Sequence, residues 1–151
     1  MKNYLLCFLL FSLISCNSTY DKNAKGLNNL LQNFNTSIPS EDHLYIIIPT
    51  FSCLGCVQKA LIRLNDLLTE TDKPNITIVY QKIDIDLSPF THKATLYCDS
   101  DYSIDRLPFS VANLTFIKTK KGKINEIQSV NIENIDQVVS PGIIFEIRKS
   151  D

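Results

Sequence analysis

No stretch of this sequence is apolar for long enough to cross a bilayer. The longest, Leu5 to Leu13, falls short of the roughly 20 residues a spanning helix needs, which argues against a lasting transmembrane helix. Nor is charge of one sign in excess: 15 Lys and Arg stand against 16 Asp and Glu, for a formal net charge of −1. With no cluster of basic residues, nucleic acid is not an expected partner. Histidine is scarce, with two in 151 residues. A zinc or copper site would have to draw on His43, His92 and Cys98 to fill the ligand set such metals take. There is no internal repeat and no low-complexity linker, so one domain is expected.

What stands at the front is a separate block. Lys2 supplies a positive start, Leu5 to Leu13 an apolar stretch, and Leu13-Ile14-Ser15-Cys16 closes it, the layout of a signal peptide. Leu-x-Ser-Cys also resembles the lipobox of bacterial lipoproteins. That resemblance implies cleavage before Cys16, acylation of its thiol, and a place in the bacterial cell envelope, lipid-anchored and facing the periplasm or the outer membrane. The expected division is a cleaved leader over residues 1–15, a lipidated tether over 16–25 and a folded domain over 26–151. Cys7 leaves with the leader and Cys16 with the lipid, so Cys53, Cys56 and Cys98 are left to the domain. A domain of roughly 130 residues buries about two thirds of its chain surface without extra staples, so a disulfide is not needed for folding. The cysteine pair is therefore a functional candidate before it is a structural one.

Along the domain, Leu27, Leu30, Leu31 and Phe34 recur at helical spacing until Pro39, a stripe suited to core packing. Leu44-Tyr45-Ile46-Ile47-Ile48 reads as a strand buried on both faces. It runs into Thr50-Phe51-Ser52-Cys53-Leu54-Gly55-Cys56, and Val57, Ala60, Leu61, Leu64, Leu67 and Leu68 continue as an amphipathic helix with Pro74 at its exit. Ile76 to Ile83 returns to a strand pattern, completing a βαβ unit. Leu87 to Lys93 suits a short helix or loop, Ala94 to Cys98 a short strand and Asp99 to Asp101 a turn. Leu114 to Ile117 and Ile124 to Ile127 flank a turn in which Gly122 supplies positive φ, so an antiparallel pair with a bulged turn is expected. Ile132 to Val139 reads as a short helix and Ile143 to Ile147 as a last strand or extended tail.

The chemistry lies where strand, cysteines and helix meet. A thiol at the first turn of a helix faces unpaired backbone N–H groups and the positive end of the dipole, which favour thiolate. Cys53 is the outer candidate and hence the nucleophile; Cys56, one turn inward, is placed to attack a mixed disulfide and release the partner. The competing readings are an inert disulfide pinning the helix start, formed because the compartment is oxidising, and a metal site that recruits further ligands. Cys98 is a third thiol, with a buried, unreactive cysteine as its plain reading. His92 and Asp84 read as solvated surface, although Asp84 ends a strand on the side where α/β sites gather.

Two segments carry a family resemblance. Thr95 to Ile104, and Leu114-Thr115-Phe116-Ile117-Lys118-Thr119-Lys120-Lys121-Gly122-Lys123-Ile124, are similar to a strand-plus-turn and an F-L-I-D-x-x-G-K-I hairpin of the TlpA-type membrane-anchored thiol–disulfide oxidoreductases. The resemblance implies a thioredoxin-like, three-layer α/β/α fold with a central mixed sheet of about four to five strands. It further implies Cys53 and Cys56 as the redox centre, protein thiols or disulfides as partners, and no resident cofactor.

The departures lie at the site. Ser52 stands where the family usually has Trp, and Leu54-Gly55 where it has Pro-Pro or Gly-Pro. Ala112-Asn113 occupies the substrate loop where the family carries a cis-proline and the residue before it, Pro108 falling five residues early. A cis bond before a non-proline costs roughly 2.5–4 kcal/mol, so Asn113 is expected trans and its loop reshaped. No carboxylate precedes the pair at the right end of its strand. A redox-inactive binding module on the same scaffold, or a metal-delivery protein, is the alternative these departures leave open.

Overall fold

A computed structural model describes residues 17–68, 75–82 and 84–143; the proposed leader, Cys16, Pro74 and most of the expected last strand lie outside the described residues. Helix α1 spans Asn17–Gln32, so residues 17–25, expected as a tether, are helical. That stretch contains no proline and a single β-branched residue, Thr19, and the docked apolar stripe that follows gives it a turn to propagate from. Leu27, Leu30 and Leu31 are buried at 0–2% exposure. The helix stops before Pro39, because Asn35 takes the left-handed conformation at φ 56. Its N–H and that of Thr36 fold back on the carbonyls of Gln32 and Leu31 at 3.0 and 3.2 Å, a Schellman end that asparagine tolerates.

Strand β1, His43–Ile48, leads through the cysteine turn into α2, Leu54–Leu67. Strands β2, Ile76–Tyr80, and β3, Thr95–Cys98, follow, separated by a 3₁₀ turn at Ser88–Phe90; a second 3₁₀ turn, Ser103–Arg106, leads towards the hairpin. Strands β4, Thr115–Lys120, and β5, Lys123–Ser129, form that hairpin, and the one-turn helix α3 covers Ile135–Val138. Ile143, expected to open a last strand, instead sits in a helical turn with its side chain in the core.

The sheet has the order β3-β2-β1-β4-β5, with β1 parallel to β2, β2 parallel to β3, and β4 antiparallel to both neighbours. Alternation in β1 divides the core between two layers. Leu44, Ile46 and Ile48 pack with α2 and α3, whereas Tyr45 and Ile47 pack with α1. Helices on both faces of a five-stranded mixed sheet make this the expected thioredoxin-like arrangement. Each fully buried large side chain contributes about 1.5–3 kcal/mol, and all six residues of the strand but His43 are buried, so β1 is the anchor from which the cysteine turn projects.

Two details differ from expectation. The hairpin turn is a two-residue turn, with Lys120 opposite Lys123 and both Lys121 and Gly122 at positive φ, 51 and 73, as a type I′ turn requires. The irregularity falls instead within the ladder, between Lys118 and Thr119. Strand β2 ends at Tyr80 rather than Ile83, with the Gln81 N–H still donating to the carbonyl of Ile48. Gly26 sits in mid-helix for a steric reason: a Cβ there would lie 2.2 Å from Cδ of Pro108, so α1 admits the proline ring only where no side chain stands.

Candidate redox site at the start of helix α2

The turn after β1 is closed by the Ser52 N–H donating to the carbonyl of Pro49 at 3.2 Å, which delivers Cys53 to the N-cap of α2. There its Sγ accepts from the backbone N–H of Cys56 at 3.4 Å and from the Cys56 thiol at 2.6 Å. The sulfur thus occupies the position that Ser or Asp oxygens take at other helix starts, satisfying a donor the helix itself leaves free. The two sulfurs are neighbours across the first turn of the helix, the placement a disulfide between them requires.

The two thiols differ in the way a nucleophile and a resolving group differ. Cys53 is exposed and Cys56 buried. The hydrogen bond from the Cys56 thiol, followed by those from the backbone N–H groups of Cys56 and Gly55, holds the Cys53 pKa below its ordinary value. Donation to Cys53, followed by burial, pushes the Cys56 thiol up. Of the two, the outer sulfur therefore loses its proton first as pH rises, and it is the one an incoming disulfide can reach.

The surroundings of Cys53 are apolar and open. Phe51 is 90% exposed and Leu54 49% exposed. Beside them lies a cleft of 510 Å³ lined by Pro49, Phe51, Asp105, Pro108, Phe109 and Ala112, among others. The substrate-loop residue Ala112 is thus at the cleft, while Asn113 is half-buried just before β4, its carbonyl accepting from the Thr115 hydroxyl at 2.8 Å. The Ala112-Asn113 peptide is trans.

Other sequence candidates stand apart. Cys98 is exposed, not buried, because β3 is the edge strand of the sheet; it lies beside Tyr80, whose hydroxyl it helps to push up in pKa after burial. His43 is at the far end of β1, its Nε2 2.8 Å from Oγ1 of Thr77, with Nδ1 buried and unpartnered. Burial lowers its pKa to about 4. His92 and Asp84 are exposed. Among the described residues, no three His, Cys, Asp or Glu side chains gather closely enough to hold a metal ion.

One group escaped the sequence reading. Gln81 is 1% exposed and binds the cysteine turn directly: its Oε1 accepts from the N–H and the hydroxyl of Thr50 at 2.8 and 2.9 Å. Its Nε2 donates to Oδ1 of Asp105 at 3.0 Å. The available signal was an amide side chain closing the otherwise apolar strand Ile76-Thr77-Ile78-Val79-Tyr80, since a buried amide needs partners.

Comparison with known proteins adds little to this geometry. No family model and no curated protein matches the chain. Among solved structures, it is similar to the solution structure of a "putative thioredoxin" from Neisseria meningitidis, at 15% identity and a TM-score of 0.43 over 76% of this chain and 81% of that one.

Proposed function

We propose that this chain is a thiol–disulfide oxidoreductase acting through Cys53 and Cys56 on protein thiols or disulfides. The observation that carries the reading is the asymmetry of the pair: an exposed Cys53 sulfur at a helix N-cap, stabilised as thiolate by donors from Cys56, with the buried Cys56 sulfur 2.6 Å behind it. In the reductive direction the Cys53 thiolate attacks one sulfur of a partner disulfide. A Cys53–partner disulfide forms, the partner's own S–S bond breaks, and the other partner sulfur leaves as thiolate. Cys56, losing its proton, then attacks Cys53 Sγ, forms the Cys53–Cys56 bond and releases the second partner thiolate. The partner gains two electrons and the pair loses them; a dithiol donor restores the reduced pair. The same steps run backwards oxidise a partner dithiol.

The TlpA-type likeness of residues 95–104 and 114–124, and the lipobox-like Leu13-Ile14-Ser15-Cys16, support placing this activity in the bacterial cell envelope, anchored through acylated Cys16. Among the described residues no helix is long and apolar enough to cross a membrane. A second reading, a redox-inactive module that binds apolar segments, is favoured by the exposed Phe51 beside an apolar cleft. Dithiothreitol-driven reduction of insulin by the chain bearing Cys7, Cys16 and Cys98 all replaced by Ser separates the two. Turnover abolished by Cys53→Ser is expected; no turnover above the dithiothreitol background supports the binding module.

A further inference from the structure

Gln81 spends all of its carboxamide on two segments that no secondary-structure element joins. Its oxygen takes both donors of Thr50, three residues before Cys53, and its NH2 group reaches the Asp105 carboxylate. Asp105 belongs to the 3₁₀ turn Ser103–Arg106, which runs directly into the cleft-lining residues Leu107 to Ala112. The backbone fixes Gln81 in turn, since its N–H donates to the carbonyl of Ile48 at 3.0 Å, extending the β1–β2 ladder by one bond. The two walls of the cleft, Phe51 from the cysteine turn and Pro108 to Ala112 from the loop, are thus held in register through one buried amide.

We infer that Gln81 is a positioning residue that locks the cysteine turn to the cleft loop and so sets the affinity of the site for a disulfide-bearing polypeptide, leaving the reactivity of Cys53 itself to the start of α2. The inference rests on the oxidoreductase reading for its substrate and on the three hydrogen bonds for its coupling. Replacing this buried amide by an apolar side chain of like size hands the Thr50 donors and the Asp105 carboxylate, both on exposed residues, to water, so what is lost is the tie between the two segments, worth about 0.5–1.5 kcal/mol per hydrogen bond.

Gln81→Met tests it, because the volume is kept and all three bonds are lost. For insulin reduction, KM is expected to rise about tenfold with kcat within about twofold, and alkylation of Cys53 by iodoacetamide is expected to stay within about twofold of the parent rate. Amide hydrogen exchange, measured well below the unfolding transition, should quicken about tenfold at Thr50 and also in residues 107–112. Gln81→Glu keeps the acceptor for Thr50 but sets a carboxylate against Asp105; it should raise KM, and adding Asp105→Asn should restore it. Unchanged KM and unchanged exchange would overturn the inference, as would a loss of turnover matched by an equal loss of alkylation rate. If the parent protein reduces no insulin, the oxidoreductase reading fails by itself, and exchange at Thr50 and residues 107–112 still decides whether Gln81 couples the two walls.

Discussion

Replacing Gly26 by alanine sets two known effects against each other at one position. Alanine gains about 1 kcal/mol over glycine in a helix interior, and a reading of α1 as an isolated helix predicts stabilisation. The structure predicts the reverse. The new Cβ would stand 2.2 Å from Cδ and 2.6 Å from Cγ of Pro108, where ordinary contact begins at 3.4 Å. The proline ring must therefore withdraw by more than about 1 Å, and a ring fused to the backbone cannot do so without moving the cleft loop. Overpacking of this kind costs about 1–3 kcal/mol, and the rigidity of proline places the cost at the upper end. The net expectation is destabilisation by about 1–2 kcal/mol, or a Tm lower by about 4 °C per kcal/mol. Urea unfolding of Gly26→Ala, Pro108→Ala and the double variant measures it. Removing the ring should abolish the penalty, giving a coupling energy of about 1 kcal/mol or more. A single Gly26→Ala variant as stable as the parent, with no coupling to position 108, would refute the close-approach argument.

Gly55 is the contrasting case: nothing lies within 4 Å of a Cβ built there, so Gly55→Ala should raise stability by about 0.5–1 kcal/mol in the same unfolding assay. His43 predicts a pH dependence. Burial lowers its pKa from 6.5 to about 4, so between those values the unfolded chain binds the proton and the folded chain does not. The stabilisation is complete above pH 6.5 and is lost as pH falls towards 4, by at most about 3 kcal/mol; His43→Phe should flatten that slope in denaturant titrations at pH 7 and 4.5. Removing the Cys56 thiol withdraws the first cause of the low Cys53 pKa, so the midpoint of Cys53 alkylation against pH should move upward in Cys56→Ala.

The strands were legible because their chemistry is local. Five consecutive apolar residues from Leu44 to Ile48 admit few other readings, and Lys121-Gly122 between two alternating runs is a hairpin signal whatever surrounds it. The cysteine pair was legible for the same reason, lying between a buried strand and an amphipathic helix. What stayed hidden depends on partners distant in sequence. That residues 17–25 are helical follows from the docked stripe beyond them rather than from their own polar side chains, and the helix end is set by Asn35 instead of Pro39. The exposure of Cys98 follows from sheet order, since the same Leu96-Tyr97-Cys98 would be covered in a central strand. Gln81 gained a role only when residues 50 and 105 came together around it. The proline at position 108 illustrates the same limit: read along the chain it only falls five residues ahead of the family's cis-proline, whereas in the fold its ring packs against the glycine of α1.

The central claim, that Cys53 is the nucleophile and Cys56 the resolving thiol, is tested most directly by trapping. The chain bearing Cys7, Cys16 and Cys98 all replaced by Ser, and carrying Cys56→Ser in addition, is mixed with insulin and analysed by mass spectrometry under denaturing, non-reducing conditions. An insulin chain should be found disulfide-linked to Cys53, whereas the parent with Cys56 intact should pass to its own Cys53–Cys56 disulfide and release the insulin chains reduced. An adduct absent from the Cys56→Ser protein, or formed equally well on Cys56 when Cys53 is replaced, would contradict the assignment.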